Sequence, residues 1–529
     1  MALTLPRYLR KQRANGFSSC EVIELPATSI DPKDVQGLVR FGYARLTEAC
    51  YLLLRIRDAA AARAWCATAP VAPAEFQEHP PEVAMQVAFT WAGLSRLGVP
   101  SDVLAGFSAE FQSGMTGDEN RSRRLGDVGP SAPSEWLWGG AASTPDVLVM
   151  LFALPNKLEQ WRTAQEGSWA AAFELIHCLD TSDLNGHEPF GFKDGISQPE
   201  IDWAVTRNGG SDQITYTNLV AAGEFLLGYR NEYGKYTDRP LLDSNDPLGG
   251  DLLPAEDMPA KKDVGRNGTF VVMRTLEQDV PGFWKFLDGQ SGSNADTRQQ
   301  LAESMVGRTI EGEPMAQTSA VPIEGIDSGP AGSSNRFTFD QDPAGTHCPF
   351  GAHIRRANPR NTDYPDVPSW WLPRVWSKLG GASKGMRTDI KASTRFHRIL
   401  RRGREYGTGL NPTHAVLERQ VRDEKRGLHF LCLNANIGRQ FEFVQNAWLM
   451  STKFDGLSGE SDPLLGNRTP IGDGLPTDNF TIPREAAVRR CIAGLPQFIT
   501  VRGGEYFFLP GIRALRYFSR VGEWSGRSQ

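Results

Sequence analysis

The chain has 529 residues, of which 40% are hydrophobic and 22% are charged, a balance typical of globular proteins and not of disordered or fibrous ones. Its formal net charge of −5 argues against general nucleic-acid binding. No stretch approaches the roughly 18 unbroken apolar residues of a transmembrane helix, so we expect no membrane span.

The N-terminal segment and the cysteines predict a cytoplasmic protein. The first residues, MALTLPRYLRKQRANGFSSC, are basic and contain no apolar run long enough for a secretory signal. The seven cysteines are scattered, which disfavours a disulfide framework and favours a reducing compartment. The CxxC of a zinc ribbon and the CxxCH of covalently attached haem c do not occur.

Two strand-then-helix patterns suggest two similar α+β halves. Residues 49–70 form a short apolar run followed by an alanine-rich helix that a proline closes. Residues 267–289 repeat that order, with helical spacing at Val280, Phe283, Trp284 and Leu287. Further strands, some followed by helices, are predicted within residues 83–99, 145–154 and 427–448.

A segment rich in proline, glycine and aspartate, residues 230–263, predicts a domain boundary. Residues 361–395 are predicted to be a long surface insertion. We therefore expect four parts: an N-terminal extension over 1–35, a first domain over 36–232, a linker over 233–263 and a second domain over 264–529.

The segment HCPFGAHIRRANPR, residues 347–360, concentrates imidazole and guanidinium groups. A closed zinc site needs four ligands. His353 and Cys348 could supply two of them, but nothing nearby supplies the other two, so zinc is disfavoured. A single histidine beside arginines fits haem better, because the iron takes one proximal histidine and the haem carboxylates need cationic partners. The alternative is an ordinary surface or capping histidine.

Two other segments carry groups that suit catalysis. GFKDGISQPEI, residues 191–201, places Asp194 between glycines that let the backbone approach another group closely. HRILRRGREYG, residues 397–407, supplies four arginines. The alternatives are a turn aspartate that bonds its own backbone and a basic helix end.

In this order, GFKDG, AHIRRANPR and RILRRGREYG resemble the dye-decolourising peroxidases, and specifically their larger, intracellular or fungal-like branch. Supporting stretches include LGDVGPSAPSEWLWGG and LHFLCLNANIGRQFEFVQNAW, and the resemblance runs from about residue 40 to about residue 510. It implies an α+β fold of two ferredoxin-like domains with antiparallel sheets and peripheral helices. It also implies haem b, bound non-covalently and held mainly by the second domain.

The activity that the resemblance implies is that of a haem peroxidase. Such an enzyme reduces hydrogen peroxide through a ferryl intermediate and oxidises phenolic or dye-like donors. Carried over by motif, the implied roles are the proximal iron ligand for His353, the distal acid–base residue for Asp194 and the distal arginine for Arg401. Arg355 is the first candidate for a propionate contact and Arg360 the second.

The remaining pocket residues are expected from strand alternation and from the need for a proximal partner. Leu428 and Phe430 alternate on one strand and should form an apolar distal wall. Glu442 is our candidate to accept a hydrogen bond from the ligand histidine, with Asn436 as the uncharged alternative. His397, four residues before Arg401, is an alternative distal base, although a propionate neighbour or a packing residue is the simpler interpretation.

Tryptophans close to these motifs are candidate surface oxidation sites, with core packing as the plainer interpretation of each: Trp370, Trp371, Trp376 and Trp448. Two other functions compete with a peroxidase. One is a haem-handling protein with little peroxide chemistry, against which the presence of both Asp194 and Arg401 argues. The other is a basic groove that binds a partner without catalysis. The sequence leaves open whether the protein is a monomer or a homodimer.

Overall fold

The computed structural model describes residues 29–141, 143–207, 217–316, 334–360, 393–417, 424–472 and 474–522. Nearly all of the predicted insertion, together with Trp370, Trp371 and Trp376, lies outside these ranges. Within them, no helix has both the length and the apolar character needed to cross a membrane.

The described chain alternates strands and helices. The strands are β1 (Glu48–Ile56), β2 (Val83–Phe89), β3 (Val147–Ala153), β4 (Phe173–Asp180), β5 (Glu200–Ile201), β6 (Leu219–Val220), β7 (Leu241–Asp243), β8 (Lys261–Asp263), β9 (Thr269–Gln278), β10 (Leu400–Arg401), β11 (Arg404–Tyr406), β12 (Gly427–Asn434), β13 (Phe480–Ile482), β14 (Arg490–Ile492) and β15 (Ile499–Leu509). The α-helices are α1 (Ala59–Thr68), α2 (Trp91–Leu97), α3 (Ser101–Leu104), α4 (Ala109–Ser113), α5 (Glu119–Leu125), α6 (Leu158–Trp169), α7 (Val280–Gln290), α8 (Ala295–Val306), α9 (His353–Ala357), α10 (Pro412–Leu417) and α11 (Ile512–Arg520). Two π-helical segments follow β12, at Gly438–Glu442 and Val444–Met450.

The first half of the fold is built from β1, α1, β2, β3, α6 and β4. Its strands lie in the order β2-β3-β1-β4 and all pair antiparallel. Asp58 caps α1 by accepting from the backbone N–H groups of Ala60 and Ala61. The β3 sequence VLVMLFA is buried throughout, because the sheet is covered on both faces: Val149 packs in one core cluster and Met150 in the other.

The second half repeats this plan with β9, α7, β12 and β15, and the short strands β10 and β11 extend its edge. The strand order is β10-β12-β9-β15, and the neighbours are antiparallel. The predicted apolar face of α7 is buried, and Asp279 caps that helix at the backbone N–H of Gly282. The two arrangements confirm the predicted α+β fold with two ferredoxin-like units.

The two half-sheets join into one continuous sheet. The junction lies between β15 and β2, where Phe508 pairs with Phe89. Helix α11, from the second half, packs on α1 of the first. A short strand seam and a helix contact thus join the halves, and side-chain bonds such as that from Trp138 to Thr275 add to them.

The predicted linker, residues 233–263, is a folded segment rather than an extended connection. Its strands β7 and β8 pair antiparallel, and the Arg239 guanidinium bonds to the buried Asp263 carboxylate at 2.6 Å from Nε and also to Asp257. The domain limits themselves stay a prediction.

The Arg239–Asp263 pair should stabilise this hairpin, because removal of one partner of a buried ion pair leaves an uncompensated charge. We expect Asp263→Asn to lower the free energy of unfolding by about 3 kcal/mol, measured by urea denaturation. The control is Asp243→Ala, which removes an exposed ion pair with Lys261 from the same hairpin. An equal effect of the two substitutions would contradict the role of burial.

Candidate functional site

A cavity of about 270 Å³ lies against one face of the second half-sheet. Side chains alternate along a strand, so every second residue of β9, β12 and β15 faces it. These are Arg274, Leu276, Gln278, Leu428, Phe430, Ile499 and Val501. The predicted apolar wall of Leu428 and Phe430 therefore does line a cavity.

His353 begins α9 and also lines this cavity. Its Nδ1 lies 2.9 Å from Oδ2 of Asp462, a completely buried residue. The other oxygen, Oδ1, accepts from the backbone N–H groups of Leu464 and Leu465, at 2.9 and 2.8 Å. Asp462 is thereby fixed in place, and it leaves Nε2 as the ring nitrogen of His353 that is available to a ligand.

The electrostatics of this pair favour a charged contact. Burial is the largest influence on the pKa of Asp462 and favours the neutral acid, but the attraction of His353 outweighs it, so the pKa is lowered. Burial likewise acts to lower the pKa of His353, yet the Asp462 carboxylate leaves it raised. Asp462 thus holds a proton on the histidine nitrogen that faces away from a ligand.

Asp194 and Arg401 meet at the same cavity. Arg401 Nη1 donates to Asp194 Oδ1 at 3.1 Å, and each side chain keeps about a third of its surface exposed, at 35% and 34%. Gln198 Oε1 accepts from the Arg401 backbone N–H at 2.9 Å. The turn after Asp194 uses Gly195 at φ 74°, a left-handed conformation that glycine adopts without strain.

The pair keeps Asp194 ionised at neutral pH. Burial is the largest influence on the Asp194 pKa and would raise it, but the Arg401 charge and the backbone N–H of Gly195 more than compensate, so the pKa lies below the usual value of 3.8. The site therefore contains a carboxylate that can accept a proton beside a permanent cation.

Further arginines cluster on one side of the cavity. Arg308, Arg360, Arg398 and Arg401 all line it. Burial, followed by the charges of Arg360 and Arg401, lowers the pKa of Arg308 to about 9. Arg360 is held by the Asn335 side chain at 2.6 Å and the Phe337 carbonyl at 2.8 Å. This side of the cavity suits an anionic group.

The expectation that Arg355 contacts a propionate is wrong. Arg355 does not line the cavity; it donates to the Cys348 carbonyl at 2.8 Å and to Asp342 at 3.2 Å, between the rings of Phe339 and Phe350. The reason is geometric. On a helix of 3.6 residues per turn, a residue two positions after His353 points to roughly the opposite side.

The assignment of Glu442 as the partner of His353 is also wrong, and Asn436 does not replace it. Glu442 accepts from the Tyr506 hydroxyl at 2.9 Å, and Asn436 accepts from the Arg439 backbone N–H at 2.8 Å. The partner is Asp462, which lies 109 residues from His353 in sequence. No local spacing relates the two, so sequence reasoning had no signal for this contact.

His397 lines the cavity, stacked on Phe443 with ring centroids 3.7 Å apart. Its Nδ1 lies 2.5 Å from the Arg439 carbonyl, and burial lowers its pKa to about 4, so the ring is neutral at pH 7. Trp448 is a buried cavity residue and not a surface one. The lining residues do not include His347, His414 or His429.

No family model matches the chain. Curated relatives do: it is 28% identical to a dye-decolorizing peroxidase of Auricularia auricula-judae over 93% of this chain and 87% of that protein. It is also 28% identical to a multifunctional dye peroxidase of an Amycolatopsis species over 81% of each chain. A crystal structure of a fungal DyP-type peroxidase from Auricularia auricula-judae superposes with a TM-score of 0.67 at 26% identity, covering 93% of this chain and 100% of that one. In sequence and in fold, the chain is therefore similar to the dye-decolourising peroxidases.

The loop that carries Asp194 is held by a second carboxyl group, which sequence analysis missed. Glu188 lines the cavity and accepts from the backbone N–H groups of Phe190 and Phe192, both at 3.0 Å, and from the Gln278 amide at 2.9 Å. Burial is the main cause that raises its pKa to about 7. The pKa values of two carboxyl groups in one loop, Glu188 and Asp194, are thus shifted in opposite directions.

This shift predicts a pH dependence of stability. Between the unfolded pKa of about 4.5 and the folded pKa of about 7, folded Glu188 retains a proton that the unfolded chain has released. The free energy of unfolding should therefore fall as pH rises through this window, by up to about 1.4 kcal/mol per pH unit from this group. Glu188→Gln should remove that slope in urea denaturation, whereas the exposed Glu135→Gln should not. An unchanged slope in Glu188→Gln would refute the assignment.

Proposed function

We propose that this chain is a haem peroxidase that reduces hydrogen peroxide and oxidises phenolic or dye-like donors. The observation that carries the proposal is the presence of two polar pairs, Asp194–Arg401 and His353–Asp462, at one cavity of largely apolar lining. The relatives of the chain are dye-decolorizing peroxidases, a dye peroxidase and a peroxidase, which supports the same activity.

The cavity has the chemistry that haem requires. His353 would hold the iron through Nε2, and Leu428, Phe430, Leu464 and Leu465 would supply apolar contacts to the ring. The crowded arginines, with the lowered pKa of Arg308, would be stabilised by the haem carboxylates, and Arg360 is our candidate contact. Among the described residues, no cysteine lines the cavity, which supports haem b bound without a covalent link.

Haem, when bound, supplies the iron at which peroxide reacts. Asp194 acts on the proton: its carboxylate takes the proton from one peroxide oxygen and returns it to the other, so that water departs instead of hydroxide. Arg401 remains cationic throughout and stabilises the negative charge that develops as the O–O bond breaks. Its contact with Asp194 also orients the carboxylate.

Asp462 sets the character of the histidine ligand. By accepting the Nδ1 proton of His353 at 2.9 Å, it makes the imidazole more anionic and fixes its orientation. A more anionic ligand stabilises higher oxidation states of a metal, as a peroxidase needs and an oxygen carrier does not. A protein that only handles haem has no need for such a ligand, so the Asp462 contact favours the peroxidase proposal over a haem-handling function.

We also propose a cytoplasmic location. The described chain contains six cysteines, all of them free, including Cys50 and Cys178 on the paired strands β1 and β4. Free thiols on neighbouring strands are in keeping with a reducing compartment.

Replacement of the proton carrier should slow the peroxide reaction without loss of haem. We expect Asp194→Asn to lower the second-order rate constant with hydrogen peroxide by about 10²- to 10⁴-fold, measured by stopped-flow absorbance of the Soret band. The control is Asp340→Asn, an exposed aspartate outside the cavity. If Asp194→Asn reacts at the normal rate, Asp194 does not carry the proton.

Replacement of the proximal carboxylate should make the iron easier to reduce. We expect Asp462→Asn to shift the ferric/ferrous potential to more positive values, measured by spectroelectrochemistry, because the imidazole loses anionic character. Glu442→Gln should leave the potential unchanged, since Glu442 does not contact His353. His353→Ala should lose the histidine-ligated spectrum altogether, and retention of that spectrum would disprove the ligand assignment.

A further inference from the structure

Tyr506 and Glu442 form a buried phenol–carboxylate pair behind the cavity wall. Tyr506, on β15, is 1% exposed, and its hydroxyl donates to Glu442 Oε1 at 2.9 Å. Arg121 Nε lies 2.8 Å from the same oxygen, and Arg124 Nη2 lies 3.9 Å from Oε2. Oε1 of the carboxylate therefore has a hydrogen-bond donor and a cation beside it, and Oε2 has a second, more distant cation.

Among the buried tyrosines of the described chain, this arrangement is specific to Tyr506. The hydroxyls of Tyr51 and Tyr517 have no hydrogen-bond partner there, Tyr229 donates to the Asn267 amide at 2.5 Å, and Tyr43 accepts from Gln86 at 3.2 Å. A carboxylate differs from all these partners because it can accept and keep a proton.

One aromatic ring separates Tyr506 from the cavity. The ring of Phe441 lines the cavity, and its centroid lies 6.3 Å from that of Tyr506 at an angle of 75°. Phe441 and Glu442 are adjacent in the π-helical segment that follows β12, so the same backbone positions both the ring and the proton acceptor. An electron that leaves Tyr506 can reach the cavity across this single packed ring.

We propose that Tyr506 is an internal one-electron donor to the cavity, with Glu442 as the acceptor of its proton. This inference rests on the proposed peroxidase function, in which hydrogen peroxide supplies two oxidising equivalents. In the step, Tyr506 gives one electron to the oxidised haem, and its hydroxyl proton moves to Glu442 Oε1. A neutral phenoxyl radical and a neutral carboxylic acid remain, and one electron from an external donor, with return of the proton, restores the pair.

The proton acceptor is what makes oxidation of a buried tyrosine feasible. Without it, loss of an electron would leave a positive charge in an apolar environment, which is costly. Burial, followed by the charge of Glu442, raises the pKa of Tyr506 well above 10, so the phenol keeps its proton until it is oxidised. The Glu442 side chain keeps 11% of its surface exposed, next to the more exposed Arg124, so its proton can exchange with water.

The test is electron paramagnetic resonance of the holoenzyme that is frozen shortly after addition of one equivalent of hydrogen peroxide without donor. Protein made with ring-deuterated tyrosine identifies a tyrosyl radical by the narrowing of its signal. We expect a tyrosyl signal in the wild type and its loss in Tyr506→Phe, which keeps the ring. Tyr517→Phe, which changes a buried tyrosine without an acceptor, should keep the signal.

Glu442→Gln provides the second variant, because glutamine can accept the hydrogen bond but cannot keep the proton. The signal should be lost although Tyr506 is present. The Soret response of the same samples separates the possible failures. If the Soret band responds normally but Tyr506→Phe keeps the full tyrosyl signal, this inference alone is overturned. The same holds if the wild type responds normally and shows no tyrosyl signal. A wild type that does not respond to peroxide overturns the peroxidase proposal and this inference with it.

Discussion

The contact between His353 and Asp462 depends on two segments being held in register across the fold. The residue that achieves this is Arg356, three positions after His353 and completely buried. Its guanidinium donates to the carbonyl oxygens of Trp448, Ser451 and Glu460, at 2.6, 3.0 and 2.5 Å. It therefore binds the chain that leads to Asp462 onto the helix that carries the ligand histidine. A displacement of either segment would separate the imidazole from its carboxylate.

The cavity also depends on how charge is distributed around it. Arg401 is paired with Asp194, whereas Arg308 donates to the carbonyl oxygens of Gly312 and Ser334, and Arg360 donates to that of Phe337. The charges of Arg360 and Arg401 contribute to the lowered pKa of Arg308, which shows that these three cations lie close together. Such a cluster attracts an anionic group to this part of the cavity.

The sequence was most informative where function is carried by short contiguous motifs or by strand alternation. Asp194, His353 and Arg401 each lie in such a motif, and Leu428 and Phe430 follow from alternation along one strand; the structure brings all five to one cavity. Arg355 was misplaced because the short helix at His353, which turns it away, was not predicted. Asp462 and Glu188 were missed because their roles come from tertiary contacts that no local pattern encodes. Glu442 was assigned to the right neighbourhood but to the wrong partner.

The seam between the half-sheets bears on how the site is assembled. Asp194 belongs to the chain that follows β4 of the first half, whereas Arg401 lies on β10 of the second. Their 3.1 Å contact therefore bridges the two halves, as do the pairing of β15 with β2, the packing of α11 on α1 and the bond from Gln278 to Glu188. The proton carrier and the cation beside it are aligned only when the halves are docked correctly. Evolution can thus adjust the chemistry from a distance, through substitutions at the seam that never touch the cavity.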